Sequence, residues 1–115
     1  MKKDSLSLDE MVQIANKVKK WYPGSLNSYS GYIDTVKMIL SCEYFRHREG
    51  MDTTYYIEAQ SANLHLNGLS LGSAWDDNEE NNKLEGLYKQ VKTGYEELKE
   101  EMTQEAFKDA RALLD

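Results

Sequence analysis

Val36-Lys37-Met38-Ile39-Leu40-Ser41-Cys42-Glu43-Tyr44-Phe45 can be read at two periods, and the choice between them decides the fold. At period two, Val36, Met38, Leu40, Cys42 and Tyr44 share a face, as in a half-buried strand. At period 3.6, the surrounding stretch 29–48 gathers Tyr29, Tyr32, Ile33, Val36, Ile39 and Leu40 on one side, with Ser30, Asp34, Lys37, Ser41 and Arg48 opposite. The strand reading leaves Ile39 and Phe45 on the polar face, so the helical spacing is adopted. Arg46-His47-Arg48-Glu49-Gly50 then reads as a helix end, with cations in the last turn and glycine just beyond.

The flanking segments point the same way. Leu84, Leu87, Tyr88, Val91, Tyr95, Leu98 and Met102 make one apolar stripe of a long helix, and Glu85, Lys89, Lys92, Glu96, Lys99 and Glu100 lie off it. Near the N-terminus, Ser7-Leu8-Asp9-Glu10 is a capping box, Leu6 can staple onto Met11, and Pro23-Gly24 ends a helix that carries Leu8, Met11, Ala15, Val18 and Tyr22 on one face. Between these, Tyr55, Ala59, Ala62, Leu66 and Leu69 form an apolar helical stripe opposite Thr54, Glu58, Ser61 and His65, which predicts a helix from about Thr53 to about Asn67. Leu64-His65-Leu66-Asn67-Gly68-Leu69-Ser70-Leu71 is the rival signal, because Asn-Gly between alternating apolar residues is how a β-hairpin is written. A lone hairpin is only marginally stable, so the helix is preferred.

Leu71 to Asn82 reads as the main loop, with Asp76 and Glu79 spaced as a second capping box. Thr103 either recaps the chain before a short final helix, with Ala106, Phe107, Ala110, Leu113 and Leu114 on its apolar side, or marks a bend in one continuous helix. The expectation is an all-α protein: a four-helix bundle with a short fifth C-terminal helix, in a single domain over residues 1–115. The alternative is α+β with a small hairpin at residues 63–72.

Composition narrows the function classes. The chain has 115 residues, 40% of them hydrophobic and 30% charged, enough for one core under a polar surface. No apolar run approaches the ~20 residues that span a bilayer, and no apolar segment follows Lys2 and Lys3 as a secretory signal would require. A cytoplasmic setting is expected, and the single Cys42 agrees with a reducing compartment. The net charge of −6 is unevenly divided: residues 1–50 sum to +2 and residues 51–115 to −8. Phosphate binding calls for a basic face, so direct nucleic-acid binding is not expected.

The chemistry-bearing residues are few. His47, His65 and Cys42 fit no zinc-ligand spacing, neither histidine follows a Glu-x-x-His pattern, and no glycine-rich phosphate loop occurs. No metal, cofactor or catalytic residue is therefore expected, although Glu43/His47 and Glu58/His65 sit at spacings that would let a carboxylate orient an imidazole on a helix. In size and helical reading the chain resembles helical ribonucleases of the HEPN type, but their arginine-to-histidine signature is absent before both histidines, so the resemblance implies no activity here.

Eight tyrosines and two tryptophans suit a binding surface, and Trp75 stands out within an acidic loop. The expectation is a small non-catalytic protein that inhibits or neutralises a macromolecular partner, as immunity proteins, antitoxins and phage anti-defence proteins do. Trp75, Asp76, Asp77, Glu79 and Glu80 would contact a protein partner with a basic surface. The alternatives are an assembly adaptor of a phage or secretion system and a helical bundle with a small-molecule pocket; a homo-oligomer is compatible with each.

Overall fold

In a computed structural model that describes residues 5–66, 68–76 and 83–114, the chain is not an all-α bundle. A short helix α1 (Leu8–Ala15) precedes five strands, β1 (Trp21–Pro23), β2 (Ser28–Ile33), β3 (Val36–His47), β4 (Gly50–Ser61) and β5 (Ser70–Asp76). A long helix α2 (Lys83–Ala112) follows. The strands pair antiparallel in chain order, β1-β2-β3-β4-β5.

Period two wins over 36–47 because both faces of the strand find apolar use. Met38, Leu40 and Cys42 are buried on one face, while Ile39 is half-buried on the other and Phe45 stands 47% exposed there. The supposed polar face is thus partly apolar, and the objection to a strand disappears. The predicted helix over Thr53 to Asn67 is β4 followed by a 3₁₀ turn at Leu64–Leu66, with Tyr55, Ile57 and Ala59 buried in alternation. Thr53, Thr54, Tyr55, Tyr56 and Ile57 are β-branched or aromatic, residues that fit a pleated surface better than a helix.

The predicted loop becomes β5 as far as Asp76. β4 and β5 do form a hairpin around residues 63–72, but not through a two-residue turn: Gln60 pairs with Ser70, and the Ser61 amide donates to Leu69 O at 2.9 Å. Asn67 lies outside the described residues.

The capping box at Ser7 forms as read. The Glu10 amide donates to Ser7 Oγ (3.2 Å) and the Ser7 amide to Glu10 Oε1 (3.0 Å), which also holds the Glu10 carboxyl below the ordinary range. The helix stops early, at Ala15 with Asn16 as its cap, because Trp21 and Tyr22 are taken by β1. α2 runs unbroken through Thr103, whose hydroxyl donates to Lys99 O (2.7 Å), so there is no separate fifth helix.

Both helices lie on one face of the sheet. The register sets Trp21, Gly31, Met38, Ala59 and Gly72 in one row across all five strands on that face. A Cβ on Gly31 would sit 2.4 Å from Val18 Cγ1, and one on Gly72 would sit 2.8 Å from Leu6 O and 3.2 Å from Met11 Sδ. The bare backbone at Gly72 thus admits α1, and the Leu6 amide donates to Leu71 O (2.8 Å), tying the helix's leading residue to β5. α2 buries Leu84, Leu87, Tyr88 and Val91. Tyr88 packs edge-on to Tyr29 (centroids 5.5 Å, 67°) and tilted on Tyr55 (5.4 Å). Beyond Val91 only Tyr95 and Leu98 are half-buried, and residues 99–114 are exposed throughout.

Gly72→Ala should cost about 1–3 kcal/mol, since an extra methyl would meet backbone rather than a flexible side chain. Gly94→Ala, whose Cβ would meet nothing within 4 Å inside α2, should instead gain about 0.5–1 kcal/mol. Chemical denaturation of both variants checks the pair. Burial first, and the Cys42 thiol second, hold the Tyr88 hydroxyl well above the ordinary phenol range. A raised folded-state pKa leaves stability intact below the unfolded value near 10 and erodes it as pH rises above that. Denaturation midpoints should therefore be flat up to about pH 10 and fall beyond it, with a shallower fall in Tyr88→Phe.

Candidate functional site

The face opposite the helices is built by alternation. Side chains that point away from Met38, Leu40 and Ile57 emerge on the other side of the pleat. The register orders them in rows: Tyr22, Ser30, Ile39, Glu58 and Ser73; Ser28, Ser41, Tyr56 and Trp75; Tyr32, Lys37, Gln60 and Ser70. Toward the far end of the β3–β4 hairpin, Glu43 faces Thr54 and Phe45 faces Asp52. No described helix covers this surface. Trp75 is 64% exposed, Tyr32 54% and Tyr22 51%. Five strands at about 4.8 Å spacing set Tyr22 and Trp75 roughly 20 Å apart, the width of a protein contact.

A hollow of about 260 Å³ lies at the β5 side, with Ile39, Tyr56 and Trp75 as apolar walls and Glu43 and Glu58 at its rim. Tyr56 donates to Glu43 Oε2 (3.4 Å), and Gln60 Nε2 donates to Glu58 Oε1 (2.9 Å). Desolvation and then the Glu43 charge keep the Tyr56 hydroxyl protonated above the ordinary phenol range, so it remains a donor at neutral pH. Lys37 stands over the Tyr32 ring at 5.9 Å. Glu43, Asp52 and Glu58 against Lys37 give the face an acidic balance. Chemically it offers carboxylate acceptors set among aromatic rings, which suits a surface of basic and apolar side chains.

The residues singled out from sequence separate. Trp75 is on this face. Asp76 points to the opposite one, is only 8% exposed, and accepts the Lys83 amide at 3.0 Å, holding the start of α2. Asp77, Glu79 and Glu80 lie outside the described residues. Among the described residues the acidic contribution to the face comes from Glu43, Asp52 and Glu58, which the helical readings of 29–48 and 53–67 did not bring together. Alternation in β3 and β4 was the signal that would have collected them.

Neither of the histidine pairs that the spacing allows is made. His47 Nδ1 accepts the Glu49 amide (3.2 Å), which places its proton on Nε2 for donation to Asp52 Oδ2 at 2.9 Å, while Glu43 serves Tyr56. His65 lies in the 3₁₀ turn, and Glu58 holds Gln60. Among the described residues no three metal-donating side chains cluster, and no helix is long and apolar enough to cross a membrane. Comparison with protein-family models, curated proteins and solved structures finds no match.

Proposed function

We propose that the chain is a non-catalytic protein-binding adaptor, of the kind that serves phage or secretion-system assembly, and that it holds a protein partner on the helix-free face of the sheet. The observation that carries this reading is the placement of both helices on one side, which leaves Tyr22, Tyr32, Phe45 and Trp75 about half exposed or more on the other. Exposed aromatics of that number over one continuous surface are typical of contact faces. Adaptor is favoured over inhibitor because an inhibitor needs one contact surface. This chain carries two: the sheet face, and the exposed apolar side of the distal half of α2 and the turn after it, with Met102 58% and Leu113 85% exposed. The acidic hollow keeps the earlier expectation of a basic partner surface, with Glu43 and Glu58 in place of the loop carboxylates. A reducing intracellular setting belongs to the same proposal, since Cys42 is a buried free thiol.

A photo-crosslinking amino acid at position 75 in the native host should trap a protein, whereas one at Lys89 on α2 should not trap it. With that partner in hand, Trp75→Ala should weaken binding at least about 10-fold, mainly through faster dissociation. The double change Glu43→Lys and Glu58→Lys should slow association at low salt and flatten its salt dependence. Unchanged affinity in both variants would remove the sheet face as the contact surface.

A further inference from the structure

The second surface lies on α2. Its buried positions Leu84, Tyr88 and Val91 continue at the same helical phase through Tyr95, Leu98, Met102, Ala106, Ala110 and Leu113, long after the sheet has ended. From residue 99 to its end at Ala112 the helix forms an arm about 20 Å long with no side chain buried, and a turn carries the chain on through Leu113 and Leu114. Leu113 and Leu114 are 85% and 84% exposed. An isolated helix of this length is marginal in water, and an apolar stripe along it calls for a second surface.

We propose that this surface is the arm of a second copy of the chain, packed antiparallel. A two-fold axis beside residue 104 sets Tyr95 against Leu113, Leu98 against Ala110 and Met102 against Ala106, a large residue meeting a small one at the two inner levels. Charge selects the direction. Residues 96–101 carry four glutamates and Lys99, net −3, whereas residues 107–112 carry Lys108, Arg111 and Asp109, net +1. Antiparallel pairing brings these unlike segments together, and parallel pairing would set −3 against −3.

The arm's length fits the rest of the molecule. From Tyr95 to the helix end at Ala112 is about 25 Å of helix, with Leu113 in the turn just beyond, so the tip of one arm reaches the base of the other. There an apolar groove of about 300 Å³ opens between β1 and α2, walled by Trp21, Pro23, Tyr95, Leu98 and Met102. Leu113 and Leu114 of one copy come level with this groove in the second, on the flank that Lys99, Thr103 and Phe107 share, and the symmetry fills both grooves at once. The dimer presents two open sheet faces, which is how one adaptor could gather two clients. It uses the α2 surface that favours adaptor over inhibitor, whereas the contact on the sheet face rests on other residues, so the dimer and the sheet-face contact can each fail alone.

Sedimentation equilibrium of the full chain should show a dimer. Met102→Glu, and separately Leu113→Glu with Leu114→Glu, should raise its dissociation constant at least about 100-fold through an unpaired charge in the seam. The side-chain methyl resonances of the fully buried Met38, Leu40 and Ile57 should stay unchanged, since these residues lie outside the seam. In a Cys42→Ser background, chains bearing Leu98→Cys mixed with chains bearing Ala110→Cys should oxidise to the mixed disulfide. A monomer at all concentrations, or a dimer indifferent to both sets of changes, overturns the proposal; disulfides only between like positions overturn the antiparallel direction.

Discussion

The absence of two side chains sets how close the helical layer can come to the sheet. In the row Trp21, Gly31, Met38, Ala59, Gly72, the small residues lie where backbone and side chains from the preceding segment descend onto the strands, and the large ones fill the space between. At Gly31 the occupants are Val18 and the Trp21 ring; at Gly72 they are Leu6 and Met11. A methyl at either place would lift α1, or the segment after it, away from strands that bury Met38 and Ala59 completely. The one-sided helical layer, and with it the bare opposite face, follows from that approach.

How much of this is legible in the sequence depends on the length scale of the signal. The capping box at Ser7 is local, involving two side chains and two amides three residues apart, and it is found where it reads. The stripe read from Leu84 to Met102 is core only as far as Val91, with Tyr95 and Leu98 half-buried and Met102 58% exposed, because a helical period shows which side is apolar and not how far the sheet accompanies it. The strands fail for a different reason. Ile39 and Phe45 on the second face make a strand look like a defective amphipathic element, when that face is a half-apolar surface in its own right. Ala59 and Ala62, placed on one apolar helical stripe, differ in fate: Ala59 is buried under the helical layer and Ala62 follows the strand, its amide donating to Thr35 O. Helix and strand templates both matched residues 53–62, and only pairing with β3 over twelve residues decided between them.

The same gap explains the site. Trp75 was visible as an aromatic among acids, but its neighbours Tyr56 and Ile39 are 19 and 36 positions away in sequence, and nothing short of the register brings them together. Asp76, adjacent to it, turns to the other side and is spent on the first amide of α2. Two consecutive residues therefore divide between contact and support, which is the ordinary outcome of a pleat and would be unusual in a loop.

Both margins of the sheet carry a feature that hinders a further strand, over all of β1 and at the Leu71 end of β5. β1 is three residues long and ends in Pro23, which has no amide to offer, while the Leu6 amide already occupies Leu71 O on β5. Edge-to-edge growth, the usual route by which open sheets aggregate, is blunted on each side with a few residues. A half-apolar face can then stay uncovered with less opportunity for growth through the strand edges, and what it offers is side chains across the pleat rather than backbone hydrogen bonds along an edge.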